Sequence, residues 1–127
     1  MKIPSLLQIL FASTLVALVG SCATTSRSGP AALAGTWTNS LGTIWTMKAD
    51  GTFDVDIYHH GKRDVWGTYT VTGDTVTVQE SGKVLKGCKG PGVYKFSRPN
   101  ENTLTFTMVS DTCKDRKKNV LLTWHQK

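Results

Sequence analysis

The feature that most limits the fold of this chain is a two-residue alternation that returns in short runs from Leu33 to the end. The run "TFDVDIY" sets Phe53, Val55 and Ile57 on one face and Asp54, Asp56 and Tyr58 on the other. "VWGTYTV" groups Val65, Gly67, Tyr69 and Val71, and "TVTVQE" alternates Val76 and Val78 with Thr75 and Thr77. "TLTFTMV" sets Leu104, Phe106 and Met108 against threonines, and "NVLLTWH" ends with Val120, Leu122 and Trp124 on one face. Successive side chains of an extended strand point to opposite faces, so each run predicts a strand with one apolar face. Turn residues separate the runs: Asp50-Gly51, His60-Gly61, Gly73-Asp74, Ser81-Gly82, Gly90-Pro91-Gly92 and Pro99-Asn100. No stretch carries a helical period, and the "KDRKK" run at Lys114–Lys118 reads as a solvated basic loop.

Eight or nine short strands joined by tight turns predict an all-β, antiparallel domain. Its sheet must hide its edges, and closing on itself does so completely. The expected fold is a small antiparallel up-and-down β-barrel of about eight strands, with a two-sheet β-sandwich as the alternative. The chain has 127 residues, enough for one modest core. Its net charge of +6 comes from scattered lysines and arginines with no nucleic-acid motif, so no nucleic-acid partner is expected.

The first residues, "MKIPSLLQILFASTLVALVGSC", have a basic start, an apolar stretch and then small residues, the layout of a secretory signal peptide. The end of that segment, Val19-Gly20-Ser21-Cys22, resembles the lipobox of bacterial lipoproteins, with valine where leucine is preferred. The resemblance implies cleavage before Cys22 and lipidation of that cysteine. It divides the chain into a signal peptide (1–21), a lipidated tether (22–32) and a barrel domain (33–127). The expected location is the cell envelope, lipid-anchored in the bilayer through Cys22. The absence of aspartate at Ala23 favours the outer membrane, facing the periplasm, in a Gram-negative source. With Cys22 assigned, Cys88 and Cys113 remain as an even pair in an oxidising compartment, where a disulfide is expected.

The segment Leu33 to Val55, with its Gly35-Thr36-Trp37 triplet, resembles the opening strands of the calycins, and the triplet matches the lipocalin Gly-x-Trp signature. The closing half, from Cys88 to Arg116, looks like small bacterial lipocalin-like proteins. The second lipocalin signature, Thr-Asp-x-x-Tyr, is missing. The resemblance implies that Trp37 closes the barrel floor beneath an arginine near the last strand, and Arg116 is the candidate. "GTWTNSLGT" is also similar to the opening of avidins, whose ligand contacts would match Asn39, Leu41 and Thr43, but the later avidin features are absent and biotin is not expected.

No nucleophile elbow, phosphate loop or deaminase signature is present. Asp54 and Asp56 read as solvated outer-face carboxylates, and His59 and His60 as turn residues. No enzyme activity, metal or cofactor is expected. The expected function is a lipocalin-like lipoprotein binding a small apolar or amphipathic ligand in the barrel mouth, with Asn39, Leu41, Tyr69, Tyr94 and Phe106 as candidate contacts. The alternative is a non-enzymatic structural or interaction lipoprotein of the cell envelope, with a filled barrel and a protein partner.

Overall fold

The structure is a computed structural model that describes residues 27–82 and 84–127. The leader and Cys22 lie outside the described residues. Eight strands follow in chain order: β1 (Gly35–Thr38), β2 (Ile44–Met47), β3 (Thr52–Asp56), β4 (Val65–Thr72), β5 (Thr75–Glu80), β6 (Gly92–Asn100), β7 (Thr103–Ser110) and β8 (Trp124–Gln126). Each pairs antiparallel with its neighbours, and β8 pairs with β1, so the sheet closes into an up-and-down barrel. The barrel is the expected fold; the sandwich alternative does not form.

The alternation sets the inside. Trp37 faces Trp45 across β1 and β2, Tyr69 faces Val78 across β4 and β5, and Phe96 faces Phe106 across β6 and β7. With Leu33, Met47, Phe53, Val76, Tyr94, Leu104 and Trp124, these residues make one continuous core. Gly67 has a steric reason to be glycine, since a Cβ there would overlap the Gln79 carbonyl of the adjacent strand.

One end of the barrel is plugged. A 3-10 turn at Gly29–Ala32 lies across it, and Leu33 behind the turn is fully buried. The Tyr69 hydroxyl points its single proton between the carbonyls of Pro30 (3.0 Å) and Lys48 (2.5 Å), and the Trp37 indole N–H donates to the Leu33 carbonyl (3.0 Å). The guanidinium over Trp37 belongs to Arg98, at 5.1 Å from the ring centroid, and Arg98 also donates to the Ala32 carbonyl at 3.3 Å. The expected Trp37–Arg116 closure is therefore corrected. The floor has its tryptophan and its arginine, but the arginine comes from the end of β6. The 3-10 turn at Gly29–Ala32 falls within the segment read as tether.

The closing half departs from the pattern in four places. Lys114–Val120 forms a helix, α1, where a basic loop was expected. Val120, the last residue of that helix, is buried, and β8 is reduced to three residues. Pro99 and Asn100 are the last residues of β6, and the turn falls on Glu101 and Asn102. Met108, on the inward parity of β7, is 43% exposed. The short β8 pairs only with Thr103 and Leu104, so the rest of β7 has no strand on that side, and the register shifts beside Tyr94.

Candidate ligand cavity at the open end

The end opposite the plug is hollow. A cavity of about 580 Å³ opens there between the β1–β2 loop, the β3–β4 loop, the segment after β5, and α1. Its inner surface is Trp45, Phe53, Val55, Val78 and Trp124, and its rim carries Leu41, Tyr58 and Leu85. These three rim residues are 61%, 75% and 65% exposed, an unusual amount of apolar surface for loops around one opening. A volume in the range of a few hundred to a thousand Å³ with apolar walls and few polar groups is the usual form of a small-molecule site.

The polar groups converge on one side. Arg116, on α1, forms a two-point pair with Asp111: Nε to Oδ2 and Nη2 to Oδ1, both 2.7 Å. Its Nη2 also donates to the Gly90 carbonyl at 2.9 Å. The Tyr94 hydroxyl donates to Asp111 Oδ2, and the Cys113 backbone N–H donates to Oδ1 at 2.8 Å. The cluster is packed so closely that a Cβ on Gly92 would lie 2.6 Å from Asp111 Oδ2 and 2.8 Å from Arg116 Nε. Only glycine leaves that space. Glu80 approaches the remaining nitrogen, Nη1, no closer than 3.6 Å, too far for a hydrogen bond.

Burial and partners set the ionisation here. Burial pushes the Asp111 carboxyl up, but the Arg116 guanidinium, the Tyr94 hydroxyl and the Cys113 amide outweigh it and hold the group below its ordinary value. Burial raises Glu80 above its ordinary value, with Arg116 offsetting only part of the effect. The Tyr94 hydroxyl is raised by burial and by its acidic neighbour, so it stays a donor. Asp111 and Arg116 form a closed ion pair, whereas Glu80 and Arg116 Nη1 are left facing each other across a gap.

The Cys88–Cys113 disulfide is present and borders the cavity. It ties the segment after β5 to the residue that begins α1, next to Asp111. Asn39 straps α1 from the other side: its Nδ2 donates to Asn119 Oδ1 at 2.6 Å, and Asn119 Nδ2 donates to Thr43 Oγ1 at 3.2 Å. Asn39 Oδ1 accepts the backbone N–H groups of Leu41 and Thr43.

The five candidate contact residues separate. Leu41 lines the cavity. Asn39 spends its amide on the loop and α1, Tyr69 seals the plugged end, Tyr94 holds Asp111, and Phe106 packs against Trp45 and Tyr94. The cavity's own functional groups, Trp45, Glu80 and Arg116, were not among the expected contacts. Glu80 did leave a signal. It follows Val76 and Val78 on the inward parity of β5, an acid where the pattern calls for an apolar residue.

Two other features are less organised. Asp56, His60 and Asp64 offer ligand atoms within 4.8 Å of one another. Their polar atoms are taken up in folding the β3–β4 loop: Asp56 accepts the N–H groups of His60 and Gly61, and Asp64 accepts that of Ile57 and meets His60 Nε2. A shallow hollow beside Lys86, Lys89 and Thr112 has flexible lysines and backbone for walls.

Comparisons of the chain with protein-family models, with curated proteins and with solved structures find no match. Fold and cavity together define a small closed β-barrel, compatible with a lipocalin-like architecture, that is plugged at one end and open at the other.

Proposed function

We propose that this protein is a non-enzymatic binding module that holds a small apolar or amphipathic molecule in the open end of its barrel. The observation that carries the reading is the division of the interior. The half near the plug is filled by Trp37, Met47, Tyr69 and Leu104, while the half near α1 opens into an apolar cavity ringed by exposed Leu41, Tyr58 and Leu85. A purely structural barrel gains by filling its core, since each unfilled space forfeits packing energy. A cavity maintained by a disulfide, a helix strap and a buried ion pair is better explained by an occupant.

The leader adds a location to the proposal. Lipidation at Cys22 would hold the domain at the envelope membrane, because two or more buried acyl chains anchor stably where one does not. From Cys22 to Gly29, where the plug begins, the chain spans roughly 25 Å at most, at ~3.3 Å per residue. The barrel would thus stay near the bilayer surface, where apolar molecules are met. Metabolic labelling with a fatty-acid probe tests the anchor: wild type takes up label and Cys22→Ser does not. Equal labelling of both would remove the membrane from the proposal. Native mass spectrometry of the purified chain tests the cavity, with a co-purified small molecule as the expected result.

A further inference from the structure

We infer that the occupant of this cavity carries an uncharged hydrogen-bond acceptor, such as the carbonyl of an amide or ester, at its polar end. The inference rests on the proposed binding function and concerns what kind of molecule enters. Among the described residues, two buried side-chain nitrogens make no hydrogen bond: Trp45 Nε1, and Arg116 Nη1, whose nearest carboxylate oxygen, on Glu80, is 3.6 Å away. Both side chains line the cavity, and they are 3% and 9% exposed. A buried donor without a partner is costly, so native interiors rarely keep one, and two beside the same cavity point to an acceptor supplied from outside.

The charges around the opening restrict that acceptor. Asp64, Glu80 and Asp115 line the cavity with two cations, Arg116 and Lys118. Arg116 is not available to a second anion on equal terms, because Asp111 already holds it at two points. A carboxylate or phosphate entering here would approach Glu80, 3.6 Å from the very nitrogen it needs, with no unspent buried cation to balance it. A cationic head meets the opposite problem. It could meet the acids at the opening, but it brings no acceptor to either N–H and also faces the guanidinium. A neutral carbonyl satisfies a donor without adding charge, and its chain continues along Trp124, Phe53 and Val55.

The test compares probes with the same tail: octanamide, octanoate and octylamine. Each is titrated into the full chain in phospholipid nanodiscs at neutral pH, against empty nanodiscs, following the fluorescence of the cavity tryptophans. Octanamide is expected to bind at least tenfold more tightly than the other two. Trp45→Phe, which keeps the ring and removes the N–H, is expected to reduce that preference several-fold. Glu80→Gln, which removes the opposing charge, is expected to improve octanoate selectively. Octanoate or octylamine binding as well as octanamide overturns the inference and leaves the binding function standing. An octanamide preference unchanged in Trp45→Phe and in Glu80→Gln also overturns it. Failure of all three probes, together with failure of an apolar dye, counts against the binding function itself.

Discussion

At the residue scale the structure turns on a few positions where one atom more or less decides the outcome. Gly92 is the tightest of those at the site. A methyl group there collides with the Asp111–Arg116 pair, so Gly92→Ala should cost about 3 kcal/mol, at the upper end of the usual penalty for overpacking, measured by urea unfolding. Arg116 and Arg98 look alike in the sequence but are expected to behave differently. Arg116→Ala leaves Asp111 buried without its cation and should cost about 3–5 kcal/mol. Arg98→Ala loses a partly buried contact with Trp37 and should cost about 1 kcal/mol. Equal effects would mean that the ion pair contributes no more than the floor contact. The same cluster predicts two opposed pH dependences. Asp111 is depressed below 3.8 in the folded state, so its contribution is present above that value and lost as pH falls through the folded value. Glu80 is raised above 4.5, so folding favours its protonated form; that contribution is complete below 4.5 and lost as pH rises through the folded value. Stability of Glu80→Gln relative to wild type should therefore rise between pH 4.5 and pH 7. A difference independent of pH would show that Glu80 is not held in a low-dielectric setting.

At the scale of elements, α1 and the disulfide shape the mouth. The bridge closes a loop of 25 residues between Cys88 and Cys113, and on chain-entropy grounds removing it should cost about 3.5 kcal/mol. Because Cys113 leads into α1 and its amide is bonded to Asp111, Cys88→Ala with Cys113→Ala should also loosen the cavity, seen as faster hydrogen exchange at α1 than at β3 and β4. Uniform exchange across the barrel would place the bridge's effect in the unfolded chain alone. These elements also mark where sequence reading succeeded. Strands β3, β4, β5 and β7 were legible because one buried and one solvated face impose a two-residue period. The disulfide was legible from the cysteine count once Cys22 was set aside. The helix was not, because α1 is only seven residues long and turns Arg116 and Val120 inward from a run that is otherwise Lys, Asp and Asn. Such a run has the composition of a loop, and its helix is held by Asp111 just upstream and by Asn39 and Cys88, which are distant in sequence. The floor arginine was misassigned for a related reason. Position near the last strand pointed to Arg116, but β6 is long enough to carry Arg98 to the plugged end. Of the cavity, Glu80 alone interrupted an apolar parity; Trp45 lies outside the runs that the alternation picked out.

At the scale of the molecule, the barrel is a container with unequal ends. Hydrogen bonds from Tyr69 and Trp37 and the stacked Arg98 seal one end; loops, a strap and a bridge frame the other. That asymmetry leaves access near α1, and the covalent tie beside the opening limits how far it can relax. The most direct test is to titrate the full chain in nanodiscs with N-phenyl-1-naphthylamine, an uncharged apolar dye, and to follow energy transfer from the cavity tryptophans. A hollow mouth predicts saturable binding of one dye per chain. It predicts at least a tenfold loss in Val55→Trp, whose added ring would occupy the cavity, with the β-sheet circular dichroism of that variant unchanged. Dye uptake that does not saturate, or that is the same in the folded Val55→Trp variant as in wild type, would contradict the claim that the open end of this barrel is a binding site.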